Sequence, residues 1–245
     1  MKRFSRPIDR TTRKEISGFT LIEMLVSLLI LATVTGAVFE QINAMQKKAN
    51  SEAVNVDLNQ QSRDFLDQTV RDLHMAGYPS ARMYSVDPQE HPAMVAAGLV
   101  RVSPTEILLE GDVNNDGNVY SVDISYVASD PNDPNCPCVR RSAQIKNDSD
   151  SFSQPLSLFY TETQHVFPPG TEPGQSGEDL FAYYDQKGNP VDLSNGNDIS
   201  KEPGITNLAK IKTVKINLTL LTNQRDGQTG GFTRTSMSAS SRLNY

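Results

Sequence analysis

Gly18-Phe19-Thr20-Leu21-Ile22-Glu23-Met24-Leu25 opens an apolar run that ends at Phe39, and the organisation of the chain follows from it. From Phe19 the run holds 21 residues and is interrupted only by Glu23 and a few of Ser, Thr and Gly. As a helix it is long enough to cross a hydrocarbon core of about 30 Å. Nothing else in the sequence is comparably apolar.

Upstream, residues 1–18 carry Lys2, Arg3, Arg6, Arg10, Arg13 and Lys14 against Asp9 and Glu15. Such a basic leader stays on the cytoplasmic side, so everything after the span is placed outside. A secretory signal peptide has the same basic start and apolar middle, and Thr35-Gly36-Ala37 would serve as its small-residue cleavage site. Glu23 argues against that reading. An ionised carboxylate inside hydrocarbon costs on the order of 2.5–3.5 kcal/mol and calls for a partner.

The run from Gly18 to Leu25, with its basic leader, resembles the processing site of type IV prepilins and type II secretion pseudopilins. The resemblance implies cleavage between Gly18 and Phe19 by a membrane prepilin peptidase, followed by N-methylation of Phe19. It also implies that Glu23 meets the N-terminal amine of a neighbouring subunit as the helix enters a filament. A charge that is costly when unpaired favours positions that supply a cation. The implied partners are the prepilin peptidase, the inner membrane, and other major and minor pilins met through the N-terminal helix.

The remaining composition fits an exported domain. The formal charge of the whole chain is −6; without the leader's net +4 the processed chain carries −10, which gives no reason to expect nucleic-acid binding. Two cysteines, three scattered histidines and no tryptophan form neither a disulfide framework nor a zinc spacing. His74, His91 and His165 stand apart, and no Gly-x-Ser-x-Gly nucleophile motif is present, so enzymatic activity is not expected. His74 flanks the end of a helix, where a cation is favoured.

After Phe39 no proline occurs before Pro79. Ile42, Met45, Ala49, Ala53, Val56, Leu66, Val70, Leu73 and Ala76 fall at helical spacings, interrupted around Gln60 and Arg63. Gly77 and Pro79 supply a left-handed cap and a stop. The spacing predicts one helix from Phe19 to Ala76, roughly 87 Å long, whose 19–39 part is membrane or filament core and whose 40–77 part packs on a globular domain. Gly36, beside Thr33 and Thr35, weakens that helix by about 1 kcal/mol relative to alanine.

From Gly98 the period changes to two. Strands are expected at Leu99–Val102, Glu106–Glu110, Asn118–Val127, Leu156–Thr161, Asp179–Tyr184, Lys210–Leu221 and Phe232–Leu243. In the third, Tyr120, Val122, Ile124 and Tyr126 alternate with Ser121, Asp123 and Ser125, one face buried and one wet. Asp130–Asp150, Glu162–Glu178, Asp192–Gly204 and Arg225-Asp226-Gly227 read as exposed loops. The expected architecture is therefore α+β and pilin-like, with a long N-terminal helix and an antiparallel β-sheet domain over 78–245.

Four segments narrow the resemblance to minor pilins of the PilW type, with the J-type minor pseudopilins close to them. These are Val70 to Tyr78, Asp112 to Gly117, Phe181 to Asn189, and Ser241-Arg242-Leu243-Asn244. The implied role is a low-abundance subunit that initiates or tips a filament. A membrane-anchored binding module, using its loops to engage a surface ligand, is the reading from another class.

Two local features carry candidate chemistry. Asp112, Asn114, Asp116 and the Asn118 carbonyl, with Gly117 at the sharp turn, fit a calcium-loop pattern that Asp123 would close at the twelfth position. The same residues suit a hairpin turn tolerant of positive φ, and both readings stand on the sequence. Cys136-Pro137-Cys138 lies in an exported loop where disulfides are permitted. Its spacing leaves a strained bridge, free thiols and a link to another subunit open. No cofactor is required.

Overall fold

The computed structural model describes residues 18–80, 83, 91–134, 136–154, 156, 158–167, 179–225 and 230–244. Residues 1–17 of the expected leader, 168–178 of the expected 162–178 loop, and Asp226-Gly227 lie outside the described residues. The architecture is α+β and pilin-like: one long N-terminal helix, then antiparallel sheets.

The chain divides into two compact units, Met1–Lys48 and Ala49–Tyr245. In the first, the described part is almost wholly helix α1 (Leu21–Met75), which starts in this unit. Its side chains from Leu21 to Lys48 are all exposed, and it contains a stretch long and apolar enough to cross a membrane.

In the second unit α1 becomes an amphipathic packing element. Leu58, Ser62, Phe65, Leu66, Thr69, Asp72 and Leu73 are buried at spacings of three and four, the stripe of a helix with one face in a core. Its apolar residues come from the same face as the expected Leu66 and Leu73, whereas Val56 is exposed. The buried hydroxyls of Ser62 and Thr69 donate to the Leu58 and Phe65 carbonyls at 2.8 Å, which satisfies them without leaving the helix.

Five strands form the larger sheet, in the order β1 (Leu99–Val102), β2 (Glu106–Gly111), β3 (Tyr120–Val127), β4 (Cys138–Ile145), β5 (Tyr160–Gln164). β6 (Phe181–Tyr184), β7 (Thr213–Arg225) and β8 (Phe232–Arg242) form the smaller one, and a short helix α2 (Gly204–Lys210) precedes β7. One buried cluster gathers Phe65 and Leu73 of α1, Ile107, Leu109, Val122, Ile124 and Val139 of the larger sheet, and Val214, Ile216, Leu218 and Leu220 of β7. Each such side chain contributes about 1.5–3 kcal/mol of burial. The Tyr183 hydroxyl of β6 donates to the Ser103 carbonyl at 2.9 Å and ties the sheets together.

The helix ends where the sequence stops it. Gly77 takes φ +79°, Tyr78 N–H bonds the Met75 carbonyl, and Gly77 N–H bonds the Glu110 carbonyl at 2.8 Å. There α1 meets β2 so closely that a Cβ on Gly111 would lie 2.7 Å from the Met75 carbonyl carbon. Only glycine fits that crossing.

Several expectations need correction. The expected 130–150 loop contains β4, paired along its full length with β3. Its adjacent Arg140 and Arg141 look like loop residues, but each cation is matched. Arg140 pairs with Asp130 and Asp133, and Arg141 grips Asp72 of α1 through Nε–Oδ2 at 2.8 Å and Nη2–Oδ1 at 3.2 Å. Burial pushes the Asp72 carboxyl up in pKa, and the guanidinium opposes that shift. The expected 156–161 strand is displaced to Tyr160–Gln164 because its pairing with β4 sets its place. The 192–204 loop runs into α2, and its Asn197 and Ile199 bond the edge of β1. β3 is not wet on one face: Ser121 and Asp123 are buried as well as Val122 and Ile124, since β3 is the central strand and the 91–97 segment reaches across that face to Glu110.

Candidate functional site

The expected processing junction, Gly18-Phe19, lies immediately before α1. Gly18 and Phe19 are exposed and outside the helix, and a Cβ on Gly18 would meet nothing within 4 Å. Nothing described in the fold requires glycine there.

One residue later the helix is started by a reciprocal pair. Thr20 N–H and the Thr20 hydroxyl both donate to Glu23 Oε2, at 3.1 and 3.0 Å, while Glu23 N–H approaches Thr20 Oγ1 at 3.4 Å. Met24 N–H closes the first turn on the Thr20 carbonyl at 3.2 Å. This is a capping box, in which two backbone donors that a helix start leaves orphaned are satisfied by side chains. The sequence reading assigned Glu23 an assembly role alone and passed over Thr20, although the Thr-x-x-Glu spacing was legible. Glu23 Oε1 has no partner among the described residues, so the carboxylate is half engaged by its own helix.

Residues 13–39 match the model of the prokaryotic N-terminal methylation motif. The N-terminus is that of a type IV pilin-like prepilin. That motif marks structural rather than catalytic proteins, and it implies processing by a prepilin peptidase and association with other pilins. The apolar first part of α1 fits an inner-membrane anchor that later serves a pilus. No curated protein and no solved structure matches the chain.

The other candidates named from the sequence lie in the second unit. In the 112–118 turn, Asp112 Oδ1 and Oδ2 accept the N–H groups of Asp116 and Gly117 at 3.0 and 2.9 Å. Asp116 accepts the Tyr120 hydroxyl at 2.7 Å and Asn118 N–H at 2.9 Å. Those two bonds, the hydroxyl first, hold the Asp116 carboxyl below its usual range. Asn115 and Gly117 take φ +53° and +86°, the left-handed conformations of a tight turn. Asn114 belongs to the same turn, but Asp123 stands apart from it. It lies within β3, opposite Leu108 and Ser142, and its carboxyl responds to Glu106 and Arg101.

Asp123 is also one of several unsatisfied groups on that face of the sheet. Asp123 Oδ1, Ser121 Oγ and Ser142 Oγ have no partner among the described residues. Burial first, then the nearby Glu106 carboxylate, push the Asp123 pKa up to about 6, against Arg101 and Ser125. Nearby, Glu110 is compensated by Lys146 Nζ at 2.7 Å and Ala97 N–H at 2.9 Å. Cys136 and Cys138 are joined as a disulfide. Asp133 lies close to their sulfurs, but bridged sulfurs are not the thiolates that a metal requires.

Proposed function

We propose that this protein is a minor pilin, a low-abundance structural subunit that initiates or tips a type IV pilus. The prepilin peptidase cuts between Gly18 and Phe19 and methylates Phe19. The 19–39 helix then holds the subunit in the inner membrane, with the β-rich domain on the extracytoplasmic side. Assembly draws that helix among those of other pilins, with Glu23 meeting a neighbour's N-terminal amine.

The observation that carries this reading is the matched methylation motif on an exposed apolar helix whose first turn holds a carboxylate with one uncommitted oxygen. One further feature supports it: Gly18 is exposed and a Cβ there would meet nothing within 4 Å among the described residues, which leaves the junction open to a peptidase.

The test is deletion of the gene, scored for pili, twitching and secretion. Loss of pili and twitching, restored by the wild-type gene but not by Glu23→Val, is expected. Intact pili with lost secretion would make the chain a pseudopilin. Normal filaments with lost adhesion would make it a binding module.

A further inference from the structure

A structural disulfide stabilises a fold mainly by constraining the unfolded chain, and the gain grows with the loop that it closes. The Cys136–Cys138 bridge spans a sequence separation of 2. Its loop holds Pro137 alone between the bridged residues and constrains the unfolded chain very little.

Other contacts already hold the surrounding turn. Val166 N–H donates to the Pro137 carbonyl at 2.8 Å, and Cys136 N–H to the Asp133 carbonyl at 3.3 Å. The Thr161 hydroxyl donates to Asp133 Oδ2 at 2.9 Å, and Arg140 pairs with both Asp130 and Asp133. From Cys138 onward β4 is paired with β3 and β5. The turn keeps its course without the bridge, so stability is a minor part of what two cysteines at this spacing supply.

The two sulfurs sit in different surroundings. Cys138 is the first residue of β4, lies between Val127 of β3 and Gln164 of β5, and is fully buried. Cys136 stands in the turn before the strand and is only partly buried. Exchange begins when a thiolate attacks one sulfur of a disulfide, and access decides which sulfur that is. Here solvent reaches Cys136, while Cys138 is held in place by a strand on each side and stays beside Cys136 once the bond opens.

We propose that the Cys136–Cys138 bridge is a thiol–disulfide exchange site, with a thiol as its substrate and Cys136 Sγ as the sulfur attacked. The substrate thiolate bonds to Cys136 Sγ as the Cys136–Cys138 bond breaks. The electron pair leaves on Cys138 Sγ, which takes up the proton that the substrate thiol gave up. A second substrate thiol then attacks the substrate sulfur of this mixed disulfide and releases Cys136, whose sulfur gains the second proton. The substrate is oxidised to a disulfide and the cysteine pair is reduced to a dithiol; the same steps in reverse restore the bridge. This activity does not depend on the filament role.

The test uses the full-length chain in detergent micelles at neutral pH without denaturant. Reduced glutathione serves as a small thiol, and a reduced, unfolded cysteine-bearing protein as a protein thiol. Mass spectrometry after alkylation should show the wild-type bridge opened by at least one of them, and the melting temperature of the reduced chain should fall by no more than about 5 °C. Opening by glutathione alone marks a small-molecule substrate, and opening by the protein alone marks a protein one. Among single variants, Cys138→Ser keeps the accessible sulfur and should form a mixed disulfide with oxidised glutathione at least about tenfold faster than Cys136→Ser, whose remaining sulfur is buried. The wild-type measurement decides by itself if either variant fails to fold. A bridge that neither thiol opens until urea unfolds the chain, equal rates in the two folded variants, or loss of the fold on reduction would each overturn the proposal.

Discussion

Asp123→Asn should make the 49–245 unit more stable at neutral pH, an unusual expectation for a change at a buried polar position. The Asp123 carboxyl is buried in β3, faces Glu106, and has one oxygen without a partner among the described residues. Its pKa of about 6 lies above the usual 3.8, so the native state holds the proton more tightly than the unfolded chain. Stability from this group is complete below about pH 3.8, falls as pH rises toward 6, and stays low above it. A shift of about two pKa units corresponds to about 2–3 kcal/mol. Asparagine has nearly the same shape without the charge, and its amide can donate toward Ser142 or Glu106. With a urea dependence of about 2 kcal/mol per molar, the variant's midpoint at pH 7.5 should lie about 1 M above wild type. Urea unfolding from pH 4 to 8 measures this, and the gap should close toward pH 4. A variant no more stable than wild type at pH 7.5, or a difference that does not vary with pH, would refute the argument.

Four other outcomes are expected. Asp72→Ala should destabilise the same unit by about 1–3 kcal/mol, because the half-buried Arg141 would lose its carboxylate; Asp72→Leu combined with Arg141→Met should recover most of that loss in thermal melts. Gly111→Ala should cost about 1–3 kcal/mol by driving a methyl group into the end of α1, read as a lower urea midpoint. Thr20→Ala should speed amide exchange at the first turn of α1 in micelles, consistent with a cap worth about 0.5–2 kcal/mol, and protection equal to wild type would count against the capping box. Millimolar calcium should leave the melting temperature unchanged, because every carboxylate oxygen of Asp112 and Asp116 already has a protein donor; a rise of several degrees would restore the calcium reading.

Residues whose environment is set by their near neighbours were legible in the sequence. The helix, its stop at Gly77, β1 and the alternation of Val214, Ile216, Leu218 and Leu220 all express local spacing. β4 was hidden because its two arginines look solvated until Asp72, 69 positions earlier, and Asp130 are placed beside them. Asp123 was misread because alternation indicates which residues share a face, not whether other segments cover the second face. The N-terminal methylation motif was legible in the leader, the Gly-Phe step and Glu23. Thr20 was missed because the charge beside it drew the whole interpretation toward neighbouring subunits.

On the filament role proposed above, that Thr20–Glu23 pair bears on the order of events in assembly. A subunit whose first turn is already closed carries no frayed tail that must be ordered on arrival, so the entropy of fixing those residues is spent before docking rather than during it. On that role, Glu23 Oε1, which no described residue engages, can take a neighbour's cation without giving up the Oε2 bonds that hold the first turn.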